Sequence, residues 1–185
     1  MPRPTCRNPI LDAAEAVVLS VGAAHLTLDA VAEKSGVSKG GVLYHFPSKE
    51  ALIDGMMSRL IERALKTRDA AIAEMADDPA KELKAEIKTL LVNTEADKPV
   101  RVAMLAAVAN HPSLMCKIRE IHRKRFETQA QYANFERRSL VILSTFGLFF
   151  LELLQVSPFS PEQRARLVEA LLQFADEVGE EKQSH

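Results

Sequence analysis

Residues 27–46 read TLDAVAEKSGVSKGGVLYHF, and this stretch decides the fold. Thr27 and Ser38 each stand just before a short helical pattern, where a side-chain oxygen accepts a backbone N–H left free by the first turn. Gly36 permits the left-handed backbone that reverses the chain, and Val37 is placed to plug the angle between the two segments. Two short helices separated by Gly36-Val37-Ser38 spell a helix-turn-helix. An ordinary helical hairpin has the same spacing, so spacing alone leaves DNA binding and simple packing both open.

Outward from this stretch, apolar residues keep recurring at helical spacing, and alternating strand patterns are absent. Asn8 followed by Pro9 reads as a helix start, and Ile10, Ala14, Val17, Val18 and Val21 form one apolar stripe that Gly22 ends. Leu28, Val31 and Ala32 are the expected buried side of the second helix, with Val42 and Phe46 in the same small core. Ser48 is the expected cap of a long fourth helix whose apolar side is Leu52, Ile53, Met56, Leu60, Ile61, Ala64 and Leu65. Breaks are expected at Asp77-Asp78-Pro79, Asp97-Lys98-Pro99, His111-Pro112 and Ser157-Pro158, with four or five further helices between them. The expectation is an all-α protein of eight or nine helices. The expected division is a helix-turn-helix domain over residues 1–47 and a second helical domain over residues 48–185.

Composition narrows the function. The chain has 185 residues, 47% hydrophobic, with 24 Lys and Arg against 25 Asp and Glu. A wholly basic nucleic-acid coat protein and an acidic disordered chain are both excluded. A local DNA-binding face is not, because a duplex needs only a few well-placed donors. Cys6 and Cys116 make no disulfide framework and fit a reducing compartment, and no secretory signal is read, so a cytoplasmic location is expected. The apolar stretch Leu140–Phe159 carries Glu152 and Pro158. Its uncharged part runs only from Ser139 to Leu151, short of the ~20 residues a membrane span needs, so no membrane partner is expected.

The residues around the helix-turn-helix say more than their spacing. Ile10-Leu11-Asp12-Ala13-Ala14, Thr27-Leu28-Asp29-Ala30-Val31-Ala32, Gly36-Val37-Ser38-Lys39-Gly40, Leu43-Tyr44-His45-Phe46 and Ser48-Lys49-Glu50-Ala51-Leu52 resemble the N-terminal domain of TetR-family transcriptional regulators. The resemblance spans Ile10 to Leu65. The rest of the chain matches only in kind, as a helical domain of suitable length. The resemblance implies a homodimeric regulator, most often a repressor, that leaves a near-palindromic double-stranded operator when a small-molecule effector binds. The DNA contacts it implies are Thr27, Ser38, Lys39, Gly40, Gly41, Tyr44, His45 and Lys49. Hydroxyls and free N–H groups at helix starts meet phosphate oxygens, lysines pair with phosphate, and Tyr44 and His45 reach the backbone or a base edge. Gly40 and Gly41 let the backbone come close to the groove and leave few side chains for direct readout, so DNA shape is expected to supply part of the specificity. Arg3 and Arg7 are candidates for an arm ahead of the first helix, against the alternative of a solvated tail.

Two further sets belong to the C-terminal domain. Met104, Leu105, Val108, Phe126, Phe146, Phe149 and Phe150 are candidate ligand-pocket residues, with plain core as the alternative for each. Leu140, Ser144, Gly147, Leu148 and Leu151 of a helix over about Glu136–Val156, with Leu167, Leu171 and Phe174 of one over Pro161–Val178, are the candidate dimer interface. Lys117, Arg119, Arg123, Lys124 and Arg125 form a second basic cluster, read as a solvated helix face. The histidines at 25, 45, 111, 122 and 185 show no paired metal-ligand spacing, and no catalytic or phosphate-loop motif occurs, so no metal, cofactor or catalytic residue is expected. The competing reading is a helical protein-binding or scaffold module without specific DNA binding.

Overall fold

The computed structural model describes residues 6–22, 25–92, 100–102 and 115–180. Among them no strand occurs, as the sequence pattern requires. The helices are α1 (Arg7–Val21), α2 (Leu28–Ser35), α3 (Lys39–His45), α4 (Lys49–Glu74), α5 (Lys81–Ile87, continued by a π turn over Lys88–Val92), α6 (Met115–Gln129), α7 (Phe135–Leu153) and α8 (Pro161–Glu180). The all-α expectation holds.

Two compact units form. The first contains the chain up to Glu62 with the described residues 100–102 and 115–116; the second contains residues 63–92 and 117–180. In the first unit, Ile10, Leu11, Ala14, Val17 and Val18 of α1 share a buried core with Leu26, Val31, Val42, Phe46, Leu52, Ile53 and Met56. Each such aliphatic side chain contributes about 1.5–3 kcal/mol when withdrawn from water. Gly55 shows how closely α4 is pressed to this core, since a Cβ there would lie 2.6 Å from Phe46 Cε1. The start of α4 therefore packs with the helix-turn-helix within the first unit. Arg59 of α4 fastens α1 by donating from Nε to Glu15 (3.0 Å) and from Nη1 to Asp12 (2.6 Å).

The second unit is built around Ala80, Leu83, Ile87, Leu91, Val141, Ile142, Leu148, Val168, Ala175 and Val178. Arg164 of α8 ties the π turn to α7. Its Nη2 donates to Leu91 O (2.6 Å) while Glu152 of α7 holds the same guanidinium (Nε to Oε1, 2.5 Å). Among the described residues Arg138 is the largest fully buried side chain, at 1% exposure. It lies over the Tyr132 ring and donates to Gln129 Oε1 (2.7 Å).

Several expectations are corrected. Helix α1 begins at Arg7, so Asn8 lies inside its first turn and is not the cap. Arg7 is helical and stacks over the Phe46 ring, which removes it from a free arm. Val21 and Leu65 are exposed, because their stripes run past the point where another element covers them. No helix among the described residues is long and apolar enough to cross a membrane, and α7 ends at Leu153.

Candidate nucleic-acid interface

The helix-turn-helix is assembled by local hydrogen bonds that the sequence dictates. Thr27 adopts extended backbone and its Oγ1 accepts from Ala30 N (3.1 Å), starting α2. Gly36 ends α2 at φ 68°, in the left-handed region that glycine enters without a Cβ clash. Ser38 Oγ accepts from Gly41 N (3.2 Å) and starts α3, and Ser48 Oγ accepts from Ala51 N (3.2 Å) ahead of α4. In each cap only a lone pair of the hydroxyl is used, so the O–H of Thr27 and Ser38 remains able to donate to a phosphate oxygen.

Helix α3 buries Val42 and turns a different face outward. Gly40, Leu43 and Tyr44 are exposed on it, Tyr44 by 85%. His45 is half-buried and meets the Tyr44 ring edge-on at 5.2 Å between centroids, which restricts where the phenol can swing. Lys39 reaches back to α2, its Nζ 2.8 Å from Asp29 Oδ1, with both side chains largely in solvent. Lys49 is half-buried at the first turn of α4.

The two glycines have different causes. At Gly41 a Cβ would lie 2.8 Å from Val37 Cγ1 and 3.3 Å from Ser38 Oγ, so the turn itself demands the missing side chain. At Gly40 a Cβ would meet nothing within 4 Å. Nothing inside the described protein asks for glycine there. Leu43, which sequence reasoning left unassigned, shares the exposed face of α3 as an apolar side chain of the sort that meets a thymine methyl.

In the second unit, Phe126, Phe146 and Phe149 are half-buried against the core. Phe150 is exposed on α7, with its ring beside those of Phe146 (6.4 Å) and Phe149 (5.5 Å). Met104, Leu105 and Val108 lie outside the described residues. Of the interface candidates, Leu140, Ser144, Gly147 and Leu167 are exposed and Leu151 is half-buried. Leu148 is buried in its own core, and Leu171 and Phe174 pack against that core, because the helix turns them inward. Sequence reasoning also missed a buried charged group, Glu86 between Arg68 and Arg125. Its signal was a carboxylate at the helical position that apolar Leu83 and Leu90 otherwise claim. Among the described residues, no group of three or more metal-ligating side chains comes together.

Comparison with known proteins agrees with this geometry. Residues 10–56 match the model for bacterial regulatory proteins of the tetR family, and residues 80–176 match that for the tetracyclin repressor-like C-terminal domain. The nucleoid occlusion factor SlmA of Aliivibrio fischeri is 30% identical over 139 residues, covering 74% of this chain and 70% of that protein. The HTH-type transcriptional regulator EthR of Mycolicibacterium smegmatis is 30% identical over 79 residues, 43% of this chain and 36% of that one. A putative transcriptional regulator, SCO7518, from Streptomyces coelicolor superposes with a TM-score of 0.71 at 20% identity, over 93% of this chain and 99% of that chain, a likeness of fold. With the capped helix-turn-helix, the exposed face of α3 and two matched domains, the chain belongs to the TetR family and is a DNA-binding transcriptional regulator.

Proposed function

We propose that this regulator is a homodimeric repressor that binds a near-palindromic operator and is released by a small molecule held in its second unit. The observation that carries the reading is the outer face of α7. Leu140, Leu143, Phe150 and Leu154 are 53%, 56%, 42% and 54% exposed, and a Cβ at Gly147 would meet nothing within 4 Å. Positions 140, 143, 147, 150 and 154 repeat at alternating steps of three and four, the seam of a helix that packs against another helix. Phe159, just ahead of α8, and Gln163, Arg166, Leu167 and Ala170 of α8 border a surface groove of about 360 Å³. A second copy covers such a face by two-fold symmetry and so presents two α3 helices to successive turns of one side of a duplex.

In this reading Lys39, Lys49, Tyr44 and the hydroxyls of Thr27 and Ser38 hold phosphate, while Gly40, Gly41 and His45 lie against the groove. The half-buried face of Phe126, Phe146 and Phe149 receives the effector, whose differential affinity for two conformations shifts the population away from the DNA-binding one. The protein works in the cytoplasm, uses no cofactor and catalyses no reaction. Selection of bound duplexes from a random pool, followed by footprinting, tests the DNA side. The expected product is a two-half-site sequence with centres about 10 bp, or a multiple of that, apart. Recovery of no preferred sequence would favour a scaffold module instead. Lys39→Ala is expected to weaken selected and random duplexes about equally. A changed sequence preference would move Lys39 from phosphate to base.

A further inference from the structure

Glu86 is buried on α5 and receives two cations from different helices. Its Oε1 lies 3.0 Å from Arg125 Nη2 of α6, and its Oε2 lies 3.5 Å from Arg68 Nε of α4. Among the described residues Arg68 has a second carboxylate beside it, Asp69, whose Oδ1 lies 3.9 Å from Nη1 and which is mostly in solvent. His122 Nδ1 lies 3.1 Å from Arg125 Nη1. Burial, with Arg125 beside it, holds the imidazole below its ordinary range, so it is neutral near pH 7, accepts from the arginine and adds no charge. Arg125 is pulled down by burial and by Arg68, against which Glu86 pulls it up. Two guanidiniums thus meet at one buried carboxylate, with the solvent-exposed Asp69 beside Arg68 as the second. A guanidinium held in this way can still receive a further anion on the N–H groups it has left over.

The donors needed to receive one are present. A guanidinium has five N–H groups in a fixed fork, and Arg125 spends one on Glu86 and one on His122. Its Cζ sits 5.0 Å from the centroid of Phe146, whose ring also meets His122 edge-on at 4.9 Å. The Phe146 ring lies 6.4 Å from that of Phe150, which meets Phe149 edge-on at 5.5 Å, and Phe146 and Phe149 pack on the same core. Charge and apolar surface therefore adjoin within one unit.

We propose that the effector is a small amphipathic carboxylate, its acid group held by the Arg125 fork and its apolar body laid along Phe146. The inference rests on the effector reading above and narrows it to one chemical class. Aryl-alkyl probes of one shape and three charges test it: phenylbutyrate, phenylbutanol and phenylbutylamine, titrated calorimetrically into the full chain. Phenylbutyrate is expected to bind about tenfold or more tighter than the alcohol, as one charge-assisted contact gives, with the amine weakest. Arg125→Gln is expected to erase that preference and leave alcohol binding in place. Arg125→Lys keeps the charge opposite Glu86 without the fork, and is expected to weaken phenylbutyrate severalfold. Equal binding of acid and alcohol, a preference for the amine, or an acid preference unchanged in both variants overturns the carboxylate assignment and leaves the effector reading standing. No binding of any probe overturns both.

Discussion

Replacing each of the adjacent glycines of α3 by alanine separates what the turn requires from what the DNA requires. Both substitutions remove the conformational freedom of glycine, which favours the folded helix by up to about 1 kcal/mol. At Gly40 the new methyl enters open space, so that gain is kept. At Gly41 it would arrive 2.8 Å from Val37 Cγ1 and 3.3 Å from the Ser38 oxygen that caps the same helix. Val37 is β-branched with few alternative rotamers, and such overpacking costs about 1–3 kcal/mol. The expected order of stability is Gly40→Ala above wild type above Gly41→Ala. In a chain of this size each kcal/mol moves the thermal midpoint by about 2–4 °C, which scanning calorimetry resolves. Val37→Ala in the Gly41→Ala background should recover part of the loss, since it removes the atom being struck. Gly40→Ala should nonetheless bind operator more weakly, because its methyl faces the duplex. A Gly41→Ala protein as stable as Gly40→Ala would refute the steric argument, and full operator affinity in Gly40→Ala would refute the role given to its bare backbone.

Three other outcomes are expected. Tyr44→Phe should change stability by less than about 0.5 kcal/mol, because the ring is exposed, while a filter-binding assay shows weaker affinity for specific and random duplex alike. Gly147→Arg should place a charge in the seam of α7 and yield a monomer by light scattering, with its helical circular dichroism intact. Asp78 is lifted by burial, but hydrogen bonds from Lys84 and from Ala80 N outweigh this and hold its carboxyl below the usual range. A depressed carboxyl binds fewer protons folded than unfolded, so its contribution is full above the ordinary value of about 4 and fades as pH falls through its folded value. Urea melts of Asp78→Asn across that acid range should therefore show a flatter decline than wild type.

What the sequence made legible was local. Thr27, Ser38 and Ser48 were read as caps because each bond closes over three residues, and Gly36 because a reversal at that point needs positive φ. Asn8 misled because a cap is defined by where the helix begins, and the backbone was already helical at Arg7. On α7 the sequence reading grouped Leu148 with Leu140, Ser144 and Gly147, whereas Leu148 is buried in its own domain and Leu143 and Phe150 are exposed. Periodicity says that a helix has two apolar sides but not which one its own domain takes. Glu86 and Arg138 were invisible for a related reason, since their partners lie on other helices, in Arg138's case as far away as Glu82, 56 residues earlier.

The ion pair between Lys39 and Asp29 bears on the thermodynamics of the solvent ions. A lysine that meets a phosphate from bulk water displaces a condensed cation, and the entropy of that cation's dilution drives association. Lys39 comes already paired with an anion on the preceding helix. In the proposed complex it transfers to phosphate and leaves Asp29 to gather a cation of its own, so part of the mobile charge released from the duplex is taken up again by the protein. The contact then gives position with less than the usual sensitivity to salt. An operator held partly by such exchanged pairs stays recognisable over a wider range of ionic strength than the count of lysines at the interface suggests.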